Sequence, residues 1–107
     1  MILSTTEHVP HRKVTEVLGL VRGNTIRARH LGKDISAVFR NIFGGEVDEY
    51  TKVLAESREQ ALDRMKEQAV TLGADAVVMV RFSSAQVMQG AAEVLAYGTA
   101  VRLAAAQ

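Results

Sequence analysis

Two long apolar stretches dominate the hydrophobic pattern of this chain, Asp75–Met88 and Ala91–Leu103, separated only by Gln89-Gly90. Valine, alanine, leucine and aromatic residues fill both phases of the alternation, so these are strands apolar on both faces. Gln89-Gly90 reads as a two-residue hairpin turn. That turn sets a register in which Phe82 faces Tyr97, Val80 faces Thr99, Val78 faces Val101 and Ala76 faces Leu103. This face is apolar enough to receive a helix. The opposite face pairs Val77 with Arg102, Met79 with Ala100, Arg81 with Gly98 and Val87 with Ala92. Its small residues suit close approach by another layer, so it is the face expected to meet a neighbouring subunit. Each strand runs to about 13 residues, against a usual length of about 5–6.

Upstream, Met1–Thr6 reads as a short strand that ends before Pro10, which has no amide to give a ladder. Val14–Ala28 is a second β region, rich in Val, Leu and Ile. Gly19 and Gly23 interrupt it, each marking a bulge or a close backbone approach, and Gly23-Asn24 is a candidate bend. Asp34 is a candidate N-cap for a short helix carrying Ile35, Val38, Phe39 and Ile42 on one face, stopped by Gly44-Gly45. Between Asp48 and Leu72 the chain has no Pro or Gly. Tyr50, Leu54, Ala61, Leu62, Met65, Ala69 and Leu72 form a stripe at three- and four-residue spacing, with Gly73 as the stop. Such a helix is roughly 37 Å long. The expected fold is one α+β domain over 1–107: an antiparallel sheet with a long C-terminal hairpin, packed on one long and one short helix. Two helices cannot cover both faces of such a hairpin, so assembly with other copies of the chain is expected to bury the remainder.

Composition sharpens that expectation. Hydrophobic residues make up 48% of the 107 residues, close to the usual share, yet a domain this small buries only about 60–70% of its unfolded surface. With no Cys, disulfides, thiolate zinc sites and a cysteine nucleophile are excluded. No apolar run approaches the roughly 20 residues of a membrane span, and the N-terminal residues show no secretory pattern. A cytoplasmic protein is the expectation. The net charge of +1 hides an asymmetry. Residues 1–45 carry the basic excess (Arg12, Lys13, Arg22, Arg27, Arg29, Lys33, Arg40) and residues 46–75 the acidic one. Opposite faces of this kind can pair between subunits. The basic residues form no dense stripe interleaved with aromatics, which argues against nucleic acid as a partner.

Five groups of residues are candidates for chemistry. His8 and His11 are close enough in sequence to share a transition metal, although two exposed loop histidines are the plainer reading. His30 and Asp34 form a candidate imidazole–carboxylate pair, the alternative being a solvated histidine beside a helix cap. Glycines and arginines between Val21 and Asp34, with Arg22, Asn24 and Arg27 foremost, could hold an anion or take part in subunit salt bridges. No phosphate-loop spacing accompanies them. Acid pairs such as Glu56 with Glu59 lie on the solvent side of the long helix, and Ser4, Thr5 and Thr6 have no base set beside them. No catalytic constellation is recognisable.

Several segments taken together resemble a known family. They are Ser4-Thr5-Thr6, Gly32-Lys33-Asp34-Ile35, Gly44-Gly45 followed by Tyr50, and Arg58-Glu59-Gln60-Ala61-Leu62. Leu72-Gly73-Ala74-Asp75-Ala76-Val77-Val78 and the closing Gly98-Thr99-Ala100-Val101 complete the set. In order and spacing, over nearly the whole chain, they resemble the YbjQ-like family of small bacterial and archaeal proteins, catalogued as heavy-metal-binding domains. The resemblance implies a dodecin-like α+β subunit forming a homopentameric ring. Among the matched polar positions it points to Asp34, Tyr50 and Arg58, whereas His8 and His11 inherit no role. The leading expectation is a non-enzymatic homo-oligomer with a metal or small-ligand site in its subunit clefts, a divalent transition metal being the candidate cofactor. The alternatives are a small enzyme with an active site shared between subunits around His30 and Asp34, and a purely structural interaction module.

Overall fold

Alternating apolar residues at the two ends of the chain converge on one sheet. A computed structural model of the protein describes residues 1–28, 47–88 and 91–106, without the side chains at 27–28 and 47–51. The described elements are β1 (Ile2–Leu3), β2 (Val14–Ala28), α1 (Val47–Thr71), β3 (Ala76–Met88) and β4 (Ala91–Leu103). The sheet has the order β1-β3-β4-β2. The hairpin and the long helix therefore lie where periodicity puts them, to within a residue. The expected short helix over 35–42 and the turn at Gln89-Gly90 lie outside the described residues.

The sheet is mixed rather than wholly antiparallel. β1 runs parallel to β3, with Ile2 beside Ala76 and Leu3 beside Val77, because Ile2 and Leu3 pack at the base of the sheet alongside the start of β3. Only these two residues form strand, since beyond them the Ser4 hydroxyl folds back to the Thr6 hydroxyl at 2.6 Å and accepts the Thr6 amide at 3.1 Å. β2 is continuous through Gly23-Asn24, so no bend occurs there. Its irregularities are two register shifts at Val14/Glu16 and Val17/Gly19, the second at a glycine with φ 127°.

The hairpin register departs from the one its turn sets. Shifts at Gln86/Met88 and Val78/Arg81 slide β3 along β4, so that Phe82 faces Ala96 and Val78 faces Thr99. The second shift contains Met79, held at φ 55° with its amide donating to the Thr6 carbonyl at 3.1 Å. One extra residue in a ladder turns the residues beyond it onto the other face. Of the face expected to receive the helix, Val80 and Phe82 do lie on the helix side, whereas Ala76, Val78, Val101 and Leu103 turn away from it. Val77, Val80, Val94, Ala96 and Ala100 lie under α1 with Val21, Ala61, Met65 and Ala69. Ala76, Val78, Val101 and Leu103 form a second cluster on the opposite side, covered by Ile2, Val9 and Val14.

The helix chooses the small-residue face because it comes very close. A Cβ added at Gly23 would collide with the Ala61 carbonyl and the Met65 amide, and would lie 2.7 Å from the Arg64 Cβ. Met65 is fully buried and Ser57 fills a gap in the stripe, with the Thr25 hydroxyl donating to the Ser57 carbonyl at 3.2 Å. Leu72, expected in the stripe, is exposed, because the helix ends before reaching it. There Gly73 takes φ 78°, with Gly73 N–H bonded to Val70 and Ala74 N–H to Ala69, the two bonds of a Schellman stop. Asp75 then clamps the other end of the hairpin by accepting the Leu103 amide at 2.9 Å.

The close contact at Gly23 makes a quantitative prediction. Gly23→Ala loses at least about 2 kcal/mol of unfolding free energy, since backbone rather than a flexible side chain must move. Gly19→Ala, with nothing within 4 Å, loses about 1–2 kcal/mol from backbone strain alone. Urea denaturation of the two variants checks the order; equal losses would contradict it.

Candidate functional site

The arginine- and glycine-containing stretch singled out in the sequence lies on β2, an edge strand beside the helix. Arg22, Gly23 and Asn24 form one wall of a groove of about 380 Å³, and Arg64, Glu67, Gln68 and Thr71 of α1 form the other. The spacing of those helix residues places them on one side of the helix. Gln68 Oε1 accepts the Arg22 amide at 2.9 Å, and Arg64 Nη1 donates to the Asn24 carbonyl at 2.5 Å. The Asn24 side chain reaches across the sheet to Glu93, Nδ2 to Oε2 at 3.2 Å. These polar groups thus occupy backbone positions that an added strand would use, which is how native sheets close an edge. The arrangement is chiefly an edge cover, and the side chains of Arg22 and Glu67 are what it leaves for the groove itself.

A second cleft, of about 320 Å³, lies at the base of the sheet between the turn after β1 and the C-terminal segment. Val9, His11, Arg12, Lys13, Ala104 and Ala105 line it. The turn is closed by the Arg12 amide donating to the Val9 carbonyl at 3.2 Å. Pro10 and then His11, at φ 63°, occupy its centre, and the left-handed position usually goes to Gly or Asn. Arg12 Nε donates to the Ala104 carbonyl at 2.9 Å, and the Ala104 amide donates to Lys13. The cleft ties the C-terminal segment to the sheet and is basic.

The other candidate residues do not gather. His8 is exposed and lies 3.4 Å from Glu7, while His11 belongs to the cleft just described. Arg58 is exposed on α1. The backbone of Arg27 pairs with Ala92, but its side chain, like that of Tyr50, is not among those described. His30 and Asp34 lie outside the described residues. Among the described residues no three His, Asp or Glu side chains come together in a way that could hold a metal ion. The residues present therefore do not build a metal centre within one chain's described part. Arg64, Glu67 and Gln68 were missed by sequence reasoning, because nothing local to them signals that they meet β2.

One long helix on a mixed four-stranded sheet defines a small α+β protein. Its fold matches a crystal structure of a protein of unknown function from the DUF74 family of Pediococcus pentosaceus, with a TM-score of 0.69, 16% identity, and 97% and 98% of the two chains covered. The family model YbjQ_1, described as "Putative heavy-metal-binding", matches residues 1–104. A UPF0145 protein of Archaeoglobus fulgidus is 61% identical over 103 residues, covering 96% of this chain and 95% of the relative. UPF0145 proteins of Clostridioides difficile and Thermotoga maritima are 58% and 54% identical, each over 96% of this chain and over 92% and 97% of theirs. The chain belongs to the YbjQ-like family. Among the described residues no helix is long and apolar enough to cross a membrane.

If Arg64 and Gln68 cover the β2 edge, removing both exposes it. The Arg64→Ala/Gln68→Ala double variant is expected to keep its helical circular dichroism and to aggregate at least several-fold faster on mild heating. Light scattering against the unmodified protein measures this; equal rates would show that the edge needs no cover.

Proposed function

We propose that this protein is a non-enzymatic homo-oligomer, a ring of five as its family resemblance implies, that binds a metal ion or small ligand in the clefts between its subunits. The observation that carries the reading is the apolar surface one chain leaves bare. Val17 and Leu20 on β2 are each 66% exposed, and Phe82, Val87 and Met88 on β3 are 46%, 51% and 56% exposed. The described half of β3 from Arg81 onward is exposed at every position on both faces. Bare apolar residues on this scale mark surfaces that associate. The dimensions agree, since the molecule extends 55 × 23 × 15 Å with a radius of gyration of 17.4 Å, against about 13 Å for a self-contained domain of this length.

The binding part of the proposal draws on the family description and on where the polar candidates lie. Arg22 and Asn24 border an exposed groove, where a neighbouring subunit can complete a site. A metal held by this protein has to draw ligands from more than one chain or include residues beyond those described, because one chain's described residues bring no three ligands together.

Two measurements test the reading in its separate parts. Sedimentation velocity at micromolar concentration is expected to show a single species several times the mass of the chain; a stable monomer removes the assembly. Isothermal calorimetry with zinc, nickel and copper ions is expected to show binding at micromolar metal, with a raised melting temperature. Absence of both heat and stabilisation for all three metals removes the metal and leaves a small organic ligand.

A further inference from the structure

We infer that the cleft at the base of the sheet is a binding site for a small, free phosphate monoester, held by His11, Arg12 and Lys13. The site needs nothing from a second subunit, so it stands or falls separately from the one proposed above. Its volume of about 320 Å³ lies at the lower end of the range for small-molecule sites. His11, Arg12 and Lys13 bring nitrogen donors to its lining, while Val9, Ala104 and Ala105 bring only aliphatic side chains. No carboxylate lines it.

The carboxylates nearest in the fold are engaged elsewhere. Glu7 lies 3.4 Å from His8, Glu16 lies 3.7 Å from Arg102, and Asp75 accepts the Leu103 amide at 2.9 Å. Among the described residues no acid comes within ion-pairing distance of His11, Arg12 or Lys13. Cations gathered in a concave site without a counter-charge concentrate anions there.

Two features hold the donors in place before a ligand arrives. Arg12 is half-buried, and its Nε donates to the Ala104 carbonyl at 2.9 Å, while the Ala104 amide donates to the Lys13 carbonyl at 2.8 Å. The C-terminal segment thus grips one edge of the guanidinium. Its two terminal nitrogens have no partner among the described residues, and such a pair fits two oxygens of a phosphate. The second feature is the turn. His11 follows Pro10 at φ 63°, where glycine or asparagine would sit with less strain. Strained positions of this kind persist at ligand clamps, and here the strain sets an imidazole N–H donor beside Arg12.

Charge and lining select the ligand. Arg12 and Lys13 bring two fixed positive charges, which match a phosphate monoester once its second proton has left at about pH 6. A monocarboxylate matches only one of them. The lining offers no Phe, Tyr or Trp on which a base could stack, which disfavours nucleotides and single-stranded nucleic acid. Val9, Ala104 and Ala105 offer no polar side chain, so they suit the carbon body of the ester while its phosphate meets the cations.

The test titrates the full chain with glycerol 3-phosphate, inorganic phosphate and acetate at matched ionic strength, read by amide NMR shifts. Glycerol 3-phosphate is expected to saturate, to move the amides of Val9, His11, Arg12, Lys13, Ala104 and Ala105, and to bind at least about tenfold more tightly than acetate. Inorganic phosphate is expected to move the same amides with lower affinity. Lys13→Gln, at an exposed side chain, should weaken glycerol 3-phosphate binding about tenfold with the melting temperature unchanged. His11→Gly should also weaken binding while melting no lower, since glycine accepts the positive φ. Acetate binding as tightly as glycerol 3-phosphate, or either variant binding like the unmodified protein, overturns the site. Shifts confined to Arg22 and Gln68 would move the anion to the other groove and overturn it equally. Binding to vesicles containing phosphatidic acid without binding to glycerol 3-phosphate would contradict a free ligand. Should a variant fail to fold, the position and saturation of the shifts in the unmodified protein decide.

Discussion

The rest of the structure depends on how near α1 lies to β2. At Gly23 the helix backbone occupies the space where any other residue would hold a side chain. On either side the contact is continued by Ala61, Met65 and Ala69 from above and by Ala96 and Ala100 from below. A helix seated this low is confined to a narrow strip over β2 and β4. Arg64 and Gln68 can then reach past β2 and close its edge. The same placement leaves the distal half of β3 exposed, with Phe82 on the helix side but beyond the strip that α1 covers. One contact thus decides which edge is shut and which stays open.

A second constraint acts on the hairpin. Met79 in the left-handed region introduces the irregularity between Val78 and Arg81, and positive φ at a long side chain costs on the order of 1 kcal/mol or more. The Met79 amide finds its partner in the Thr6 carbonyl, so the bulge is held from the N-terminal segment. Through it Val80 and Phe82 turn to the helix side, while Ala76 and Val78 face the second cluster with Val101 and Leu103. Both faces of the hairpin are buried at its base for this reason, whereas toward its tip β3 is exposed throughout and only β4 keeps buried residues, Ala91 and Val94.

The range of each interaction decides how much of it the sequence makes legible. The bounds of β3, β4 and α1 were legible because alternation, helical spacing and Gly73 act within a few residues. Face assignment was not. It depends on where a ladder slips by one residue, and neither Met79 nor Gln86 advertises a bulge. Gly23 was legible as a close approach but not as to its partner, since Ala61 and Met65 are some forty positions away. His8 and His11 show the converse: short spacing in sequence promised a shared ligand, whereas a turn at Pro10 puts one beside Glu7 and the other in a basic cleft.

Family membership and this geometry bear on each other through the missing ligand cluster. The described part of one chain does not bring three metal-ligating side chains together, so the heavy-metal description cannot rest on that part alone. A site completed by a neighbouring subunit would tie binding to assembly by mass action, each favouring the other. Affinity would then fall on dilution, and weakening the subunit joint would weaken binding without touching a ligand. A site built wholly within one chain, using residues beyond those described, would lack that coupling. The concentration dependence of binding therefore separates the shared site from the self-contained one.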